Sequence, residues 1–274
     1  MRIQGTSAVV TGAAGGIGLA VATALLERGA ASVVLADVDG DRLDDARSGL
    51  AAEHGDRVLA RAADVTSEIG VDAVLQTAPS PVDLYVANAG VFRGFGLEAA
   101  PEDWAASWEV NVLGHVAAAR ALVPGWLERA AGQDGPGGCF VSVASAAGLL
   151  TQLGSATYSV TKHAAVGFAE WLAATYGDRG VQVTCACPMG VRTAMLEEGE
   201  TSADPDATLG MRAVTSAGEA LEPSVVAATI LDAVEEGRFQ ALPHPDVATM
   251  WAQKASDPAR WVAGMQRYRR SLEA

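Results

Sequence analysis

The chain has 274 residues, half of them hydrophobic, and a formal net charge of −14. This length and apolar content suffice for one large α/β domain. The acidic balance disfavours nucleic acid as a partner, because such binding needs a basic surface, and it disfavours an anionic membrane surface for the same reason. No apolar run is long enough to span a membrane, and the N-terminus lacks the apolar stretch of a signal peptide. We therefore expect a cytoplasmic location.

The cysteines support this expectation. Cys139, Cys185 and Cys187 are few and odd in number, which is typical of reduced thiols in a cytoplasmic protein. Two strand residues at the spacing of Cys185 and Cys187 point to one face, so we interpret them as core thiols. The four histidines show no ligand spacing. The sequence predicts no metal site.

Short apolar runs alternate with Ala- and Leu-rich stretches along the chain. The predicted strands are, in order, SAVVTG, SVVLAD, RVLARAAD, VDLYVANAG, GCFVSVAS, VQVTCACP and FQALP. The predicted helices cover residues 16–29, about 40–53, about 103–130, about 155–177 and a stretch that begins near Pro223. AGQDGPGG is predicted to break the long third helix. The alternation predicts one α/β domain over residues 1–274, a Rossmann-type doubly wound parallel sheet with helices on both faces.

Two segments fall outside this alternation. Residues 192–220 form the least regular part, which we interpret as a substrate lid, with a surface loop of no functional role as the alternative. The C-terminal tail, about residues 246–274, is predicted to be helical and carries several aromatic side chains. These aromatic side chains could cover a pocket, contact a neighbouring subunit, or simply pack on their own subunit.

The first strand is followed by TGAAGGIG, which contains Gly12, Gly16 and Gly18. Glycines at a strand–helix junction permit a tight turn and a close approach to a pyrophosphate, and the helix N-terminus offers free N–H groups. Asp37 ends the second strand, where a carboxylate can bind the ribose hydroxyls of NAD and repel the 2′-phosphate of NADP. Arg42 is the nearest cation that could favour NADP, and we expect it to face solvent.

YSVTK places Tyr158 and Lys162 at i and i+4, on one face of a helix, with Ser145 upstream in VSVASAAG. A free tyrosine has a pKa near ~10, so a catalytic base at neutral pH needs its pKa lowered by about three units, or about 4 kcal/mol. A neighbouring ammonium and a positively charged nicotinamide are plausible sources of that stabilisation. Taken alone, the Tyr/Lys pair could be a solvated helix face.

These motifs together resemble the short-chain dehydrogenase/reductase family over about residues 5–195, and more loosely to about residue 243. The family's T-G-x-x-x-G-x-G turn is matched by Thr11 to Gly18, and its N-A-G after the fourth strand is matched by Asn88, Ala89 and Gly90. Its catalytic helical Asn falls on Asn111. Its Ser and its Y-x-x-x-K fall on Ser145, Tyr158 and Lys162. Coincidence at all these positions is improbable, although Asn88 and Asn111 could each be structural.

The resemblance implies a role for each matched residue. The catalytic set would be Asn111, Ser145, Tyr158 and Lys162. Tyr158 would act as general acid/base, Lys162 would bias Tyr158 toward phenolate and hold the nicotinamide ribose, Ser145 would bind the substrate oxygen, and Asn111 would anchor water in a proton relay. NAD would be bound by Gly12, Gly16, Ile17, Gly18, Asp37, Asp64, Val65, Asn88, Ala89, Gly90, Tyr158, Lys162, Pro188, Val191 and Thr193. A homo-oligomer, either a tetramer or a dimer, would be expected.

One motif departs from the family pattern. The family usually shows P-G-x-V-x-T after the sixth strand, whereas here Met189 replaces the glycine and Gly190 follows it. Methionine tolerates fewer backbone conformations than glycine. We therefore expect a changed shape of the loop beside the nicotinamide.

The segments expected to line the pocket are mainly apolar, which predicts a hydrophobic secondary alcohol or ketone as substrate. The predicted substrate residues are Ser145, Phe92, Leu150, Met189, Met195 and Leu196. Arg93 could anchor an anionic substrate, but a solvated loop arginine is the simpler interpretation. Some of the apolar residues must instead pack the core.

The sequence thus predicts an NAD-dependent oxidoreductase that interconverts an alcohol and a ketone by hydride transfer. A ketoacyl- or quinone-type carbonyl reductase is the alternative within the same chemistry. A non-catalytic dinucleotide-sensing protein on the same fold is the alternative from another class, and the complete Ser, Tyr, Lys and Asn set argues against it.

Overall fold

Parallel strands form the middle layer of the protein, in a computed structural model that describes residues 1–132 and 135–273. The strands are β1 Ser7–Thr11, β2 Ser32–Asp37, β3 Val58–Ala62, β4 Leu84–Ala87, β5 Gly138–Val143, β6 Val181–Ala186 and β7 Gln240–Ala241. In the described residues they make one seven-stranded sheet in the order β3-β2-β1-β4-β5-β6-β7, and each neighbouring pair is parallel. The predicted α/β sheet is confirmed.

Helices cover both faces of the sheet. They are α1 Gly16–Glu27, α2 Gly40–His54, α3 Glu68–Leu75, α4 Pro101–Trp108, α5 Gly114–Ala131, α6 Ala147–Leu150, α7 Ala156–Tyr176, α8 Ala194–Glu200, α9 Pro205–Ala217, α10 Pro223–Glu235, α11 Asp246–Ser256 and α12 Pro258–Glu273. A π-helical turn, Glu109–Leu113, joins α4 to α5.

The core has two halves because successive strand residues point to opposite faces. On β1, Val9 packs in one hydrophobic cluster with Phe140 and Trp126, while Val10 packs in the other with Leu25. Strands buried on both faces read as continuous Val- and Leu-rich runs, as parallel sheets require. The strand order reverses between β1 and β4, which leaves a crevice at the carboxyl ends of these strands.

Several predicted elements need correction. The helix predicted over about 103–130 is two helices separated by the π-turn, and α3 was not predicted at all. Residues 192–220 are not irregular, because they contain α8 and α9. The predicted break at AGQDGPGG includes Gln133 and Asp134, which lie outside the described residues.

The C-terminal tail folds onto its own chain. Trp251 of α11 and Trp261 of α12 pack against the core cluster that contains Phe140. The Tyr268 hydroxyl donates a 2.8 Å hydrogen bond to the carbonyl of Ala213 in α9. Within residues 1–132 and 135–273, none of the helices combines the length and apolar character needed to cross a bilayer.

Candidate active site

A cavity of about 400 Å³ lies at the carboxyl ends of the central strands, where the crevice is. Its lining joins the glycine turn after β1 to the end of β5 and to the start of α7. Of the predicted residues, it includes Gly12, Gly16, Ile17, Asp37, Asp64, Val65, Asn88, Ala89, Gly90, Phe92, Ser145, Tyr158, Lys162, Pro188, Met189, Val191, Thr193, Met195 and Leu196. Leu150 and Arg93 do not line this cavity, and the contact of Leu150 with the substrate stays a prediction.

The glycine turn leaves room for a pyrophosphate. Gly12 and Gly16 have φ of +64° and +55°, a region that L side chains rarely adopt. A Cβ on Gly18 would lie 2.2 Å from the carbonyl oxygen of Gly12, so this glycine serves the packing of α1 rather than the cavity surface. The N-cap of α1, Gly15, makes no side-chain capping bond, and the first turn has no acidic residue. The N–H groups of this helix end are therefore available to an anion, which fits a dinucleotide.

Asp37, at the end of β2, carries the carboxylate that is expected to favour the ribose hydroxyls of NAD over the 2′-phosphate of NADP. Asp37 accepts hydrogen bonds from the backbone N–H of Ala14, at 3.1 Å, and of Asp39, at 3.2 Å. Its side chain is thereby held beside the glycine turn. Arg42 departs from the prediction, because its exposed side chain also reaches the cavity, with one guanidinium nitrogen 3.0 Å from the Cβ position of Gly15.

Asn88 is a structural residue at the edge of the crevice. Its Nδ2 donates to the carbonyls of Thr11, at 2.8 Å, and of Gly12, at 3.2 Å. These bonds join the ends of β1 and β4 where the strand order reverses. Asp64 is likewise engaged by the backbone N–H of Thr66 at 3.0 Å.

The catalytic candidates that line the cavity come from the end of β5 and from α7. Ser145 follows β5, and its hydroxyl accepts a 3.1 Å bond from the N–H of Ala147. Tyr158 and Lys162 share one face of α7, with the Lys162 ammonium 5.6 Å from the centre of the Tyr158 ring. Phe92 meets the Tyr158 ring edge to face at 5.1 Å, which fixes the orientation of the phenol.

Lys162 is almost completely buried and donates a 3.1 Å bond to the carbonyl of Val143. Burial lowers the pKa of this lysine to about 8, while Cys187 and Cys185 act in the other direction. The group therefore remains mostly cationic at neutral pH. Burial raises the pKa of Tyr158, and the neighbouring Ser145 hydroxyl acts to lower it. In the protein alone, Tyr158 is thus held as the neutral phenol.

Asn111 lies behind Lys162, in the π-turn. Its Oδ1 accepts a 2.9 Å bond from the N–H of Val91, and its Nδ2 donates to the carbonyl of Val91 at 3.0 Å and to the Thr161 hydroxyl at 3.1 Å. A Cβ on Gly90 would lie 3.2 Å from Asn111 Oδ1 and 3.4 Å from Lys162 Nζ. Asn111 does not line the cavity, and its role as the anchor of a water in a proton relay stays a prediction. π-turns of this kind are frequent at functional sites.

Two histidines near the site were not predicted. His115 is buried, with Nδ1 3.0 Å from the Ser142 hydroxyl and no hydrogen-bond partner for Nε2 among the described residues. Burial, with a smaller contribution from the Lys162 charge, lowers its pKa to about 3. His115 lies four residues after Asn111, one helical turn away, and this spacing was the signal that could have identified it.

His244 holds the loop that departs from the family pattern. Its Nδ1 accepts from the N–H of Met189 at 3.1 Å, and its Nε2 lies 3.1 Å from the Gly190 carbonyl. The loop therefore requires the tautomer with the proton on Nε2. Met189 needs no left-handed backbone, since Thr151 is the one non-glycine residue with positive φ among the described residues. Met189 therefore occupies this position without left-handed backbone, and the expected change of loop shape stays a prediction.

The thiols are structural, as their spacing predicts. Cys185 and Cys187 are buried with their sulfurs 3.9 Å apart, and Cys139 is buried and free. Among residues 1–132 and 135–273, no group of three or more His, Cys, Asp or Glu side chains is placed to hold a metal ion.

Comparison with known proteins agrees with this arrangement. The family model for short chain dehydrogenase matches residues 6–204. A 1-deoxy-11-beta-hydroxypentalenate dehydrogenase from Streptomyces exfoliatus is 34% identical, over 96% of this chain and 92% of that protein.

Solved structures extend the comparison. A short chain dehydrogenase/reductase from Burkholderia phymatum in complex with NAD superposes with a TM-score of 0.82 at 29% identity, covering 94% of this chain and 95% of that one. L-sorbose reductase from Gluconobacter frateurii complexed with NADPH gives 0.74 at 29% identity, covering 88% and 96%. The chain belongs to the short-chain dehydrogenase/reductase family of oxidoreductases.

Proposed function

We propose that the protein is an NAD-dependent oxidoreductase that interconverts a hydrophobic secondary alcohol and its ketone, with Tyr158 as general acid/base. The observation that carries this proposal is the convergence of Ser145, Tyr158 and Lys162 on one cavity with the glycine turn and Asp37. A protein that only sensed a dinucleotide would have no need for Ser145 opposite Tyr158.

The residues of the chain account for proton transfer and positioning. When bound, the nicotinamide ring supplies the hydride chemistry. Ser145 donates a hydrogen bond to the substrate oxygen, and Tyr158 removes the proton from the hydroxyl or returns it to the carbonyl. The Lys162 charge stabilises the phenolate form, which burial alone disfavours. Asn111 and Val143 keep this ammonium and its surroundings in place.

NAD is the proposed cofactor because of Asp37. A 2′-phosphate beside this carboxylate would meet like charge. Arg42 lies near enough to offset part of that repulsion, so the discrimination rests on the carboxylate being held by Ala14 and Asp39. Similar structures contain NAD in one case and NADPH in another, so both dinucleotides are compatible with this fold.

The proposed substrate is apolar around the reacting carbon. Phe92, Met189, Met195, Leu196 and Met211 line the substrate end of the cavity. The Streptomyces exfoliatus relative is named for a hydroxylated pentalenate, which favours a cyclic alcohol over a sugar.

A panel of alcohols tests the proposal. The purified protein with NAD is incubated with cyclic and acyclic secondary alcohols, and the formation of reduced nicotinamide is followed. We expect turnover of apolar cyclic alcohols and none by Tyr158→Phe, which still binds NAD. Reduction of ketoacyl thioesters or quinones without any alcohol oxidation would favour the carbonyl-reductase alternative. Nucleotide binding with no turnover of any compound would favour a sensing protein.

We further propose that the protein is cytoplasmic and assembles with copies of itself. An exposed apolar stripe runs along α7 through Val160 and Trp171, which are 46% and 53% exposed. Trp108 and Leu113, both 41% exposed, extend this stripe onto the neighbouring α4 and π-turn. A face of this kind is typical of a contact between subunits.

A further inference from the structure

A second cavity, of about 570 Å³, lies next to the active site and is not used by the mechanism described above. The segment around α6, the inner face of α9 and the two tail helices form its walls. Leu150, which the sequence placed in the active-site cavity, lies here instead.

The two cavities share walls. Ala146, Ala147, Gln152, Met189 and Val214 line both of them. Ala146 and Ala147 follow Ser145 directly and carry only methyl groups, so little side-chain bulk separates the Ser145 hydroxyl from the second cavity. A molecule whose reacting carbon lies against Ser145 and Tyr158 can therefore extend into this space.

The wall from α12 has an apolar stripe. Trp261, Met265 and Tyr268 follow one another at helical spacing and line the cavity together with Gly264. The Tyr268 hydroxyl is already engaged by Ala213 of α9, so the ring presents mainly carbon to the cavity. This region suits fused or branched hydrocarbon.

Two arginines on the same helix bring positive charge to the rim. Arg260 and Arg267 line the cavity, their side chains are exposed, and neither forms an ion pair within residues 1–132 and 135–273. Asp257 lies at the same rim, where its carboxylate accepts the 2.9 Å bond from the N–H of Arg260. The rim thus keeps one excess positive charge in a chain of net charge −14, which favours an anionic ligand.

We propose that this cavity binds the distal part of the substrate, and that the substrate is a cyclic hydroxy acid whose carboxylate pairs with Arg260 and Arg267. This inference rests on the proposed function of the neighbouring site. The hydroxyl end lies at Ser145 and Tyr158, the hydrocarbon passes Ala147 and Met189, and the carboxylate reaches the rim.

The test uses 3β-hydroxycholenoate and its methyl ester, which share a ring alcohol and differ in the charge at the far end. Binding of each to the complex with NAD is followed by tryptophan fluorescence, since Trp261 lines the cavity, and oxidation is followed separately. We expect the acid to bind about fivefold more tightly than the ester, because an exposed ion pair contributes little and the carboxylate forms two of them. The double variant Arg260→Gln/Arg267→Gln should lose this preference through Kd and KM, with kcat unchanged.

One matched control and one cavity-filling variant complete the test. Arg270→Gln removes an exposed arginine of the same helix that does not line the cavity, and it should keep the preference for the acid. Gly264→Leu fills the cavity, since a Cβ there meets only the Arg267 guanidinium at 3.8 Å. This variant should weaken the binding of both probes, whereas Arg270→Gln should leave both their binding and the oxidation of cyclohexanol unchanged.

The outcomes separate this inference from the proposed function. Equal binding of acid and ester, or binding of neither while cyclohexanol is oxidised, overturns the inference and leaves the function intact. Arginine-dependent binding of the acid without oxidation of any alcohol supports the cavity as an anion site and overturns the proposed function.

Discussion

Asp37 and Arg42, two side chains of opposite charge, line the cavity near the glycine turn, and under the proposed function they bear on the choice of dinucleotide. Asp37 is held by two backbone N–H groups, whereas Arg42 is an exposed side chain that touches the glycine turn only at its tip. A preorganised carboxylate discriminates more strongly than a flexible guanidinium, because no ordering free energy is lost when it acts.

We therefore predict that NAD binds at least about tenfold more tightly than NADP, and that Asp37→Ser removes most of the difference. The variant deletes the like charge and leaves Arg42 to pair with a 2′-phosphate. Titration of both nucleotides by calorimetry measures the two Kd values. In the control Arg42→Gln, NAD should remain preferred. Equal affinities in the unmodified protein would contradict the assignment of Asp37.

His115, a buried histidine that feels the charge of Lys162, links stability to pH. The folded protein keeps His115 neutral down to a pKa of about 3, whereas an unfolded chain takes up this proton near pH ~6.5. Between these values the unfolded state binds more protons, so the free energy of unfolding falls as pH falls, by about 1.4 kcal/mol per pH unit for this group.

Removal of His115 should therefore reduce the sensitivity to acid. We expect His115→Gln to be less stable than the unmodified protein at pH 7, because packing and the contact with Ser142 are lost. On acidification from about pH 7 to about pH 5 the variant should regain about 2 kcal/mol relative to the unmodified protein. Urea unfolding at a series of pH values measures this, and parallel stability curves would show that His115 does not control it.

At the scale of elements, the strands and the motif-bearing turns could be predicted from the sequence, and the irregular elements could not. β1 with its glycine turn and α7 with Tyr158 and Lys162 carry local signals, namely apolar runs, glycines and helical spacing. The π-turn at Asn111 carries none, because one extra residue in a helical turn leaves the apolar pattern almost unchanged. α8 and α9 do carry local helix signals, since α8 is mostly Ala, Met, Leu and Glu and α9 begins after the N-cap Asp204 with Pro205, but Gly199 and Gly210 interrupt the pattern.

Three side-chain hydrogen bonds tie α9, part of the proposed lid of α8 and α9, to neighbouring elements. Gln152 donates a 2.9 Å bond to the Gly210 carbonyl, Tyr268 donates to the Ala213 carbonyl, and Arg212 donates a 3.3 Å bond to the Leu272 carbonyl. Met195 and Leu196 of α8 line the cavity, as expected of residues that cover a substrate. So few tethers favour local opening in the absence of ligand.

We predict faster amide exchange in α8 and α9 than in β4 and β5 in the free protein, and slower exchange of the lid once NAD and a ketone analogue bind. Hydrogen exchange with mass detection measures both states. Tyr268→Phe removes one tether and should speed exchange of α9 alone. Strong protection in both states would identify a fixed segment, and rapid exchange in both would identify a surface loop.

At the scale of the whole molecule, the two cavities differ in how far their positions could be predicted from the sequence. The active-site cavity forms where the strand order reverses, which follows from the βα alternation visible in the sequence. The second cavity depends on how α11 and α12 fold back onto α6 and α9. Long-range packing of Trp251 and Trp261 sets that arrangement, so the helical pattern of the tail did not reveal which surface it would cover.

The outer surface carries one more feature at this scale, the apolar stripe on α7. Trp171 stacks on Phe168 with ring centres 6.1 Å apart and meets Tyr176 edge to face at 5.7 Å, so its exposed indole is rigidly held. A rigid aromatic side chain loses little conformational entropy on association, which makes it a strong anchor for a contact between subunits.

We predict that the protein is a dimer or tetramer at micromolar concentration and that Trp171→Glu shifts it to the monomer. The substitution places a charge where two copies of α7 would meet, and an unpaired buried charge opposes association. Light scattering after size-exclusion chromatography measures the mass. Val262→Glu is the matched control, because Val262 is similarly exposed, at 54%, but lies on α12 away from the stripe. The control should keep the assembly intact. A monomeric unmodified protein, or an oligomer that persists in Trp171→Glu, would show that α7 is not the contact.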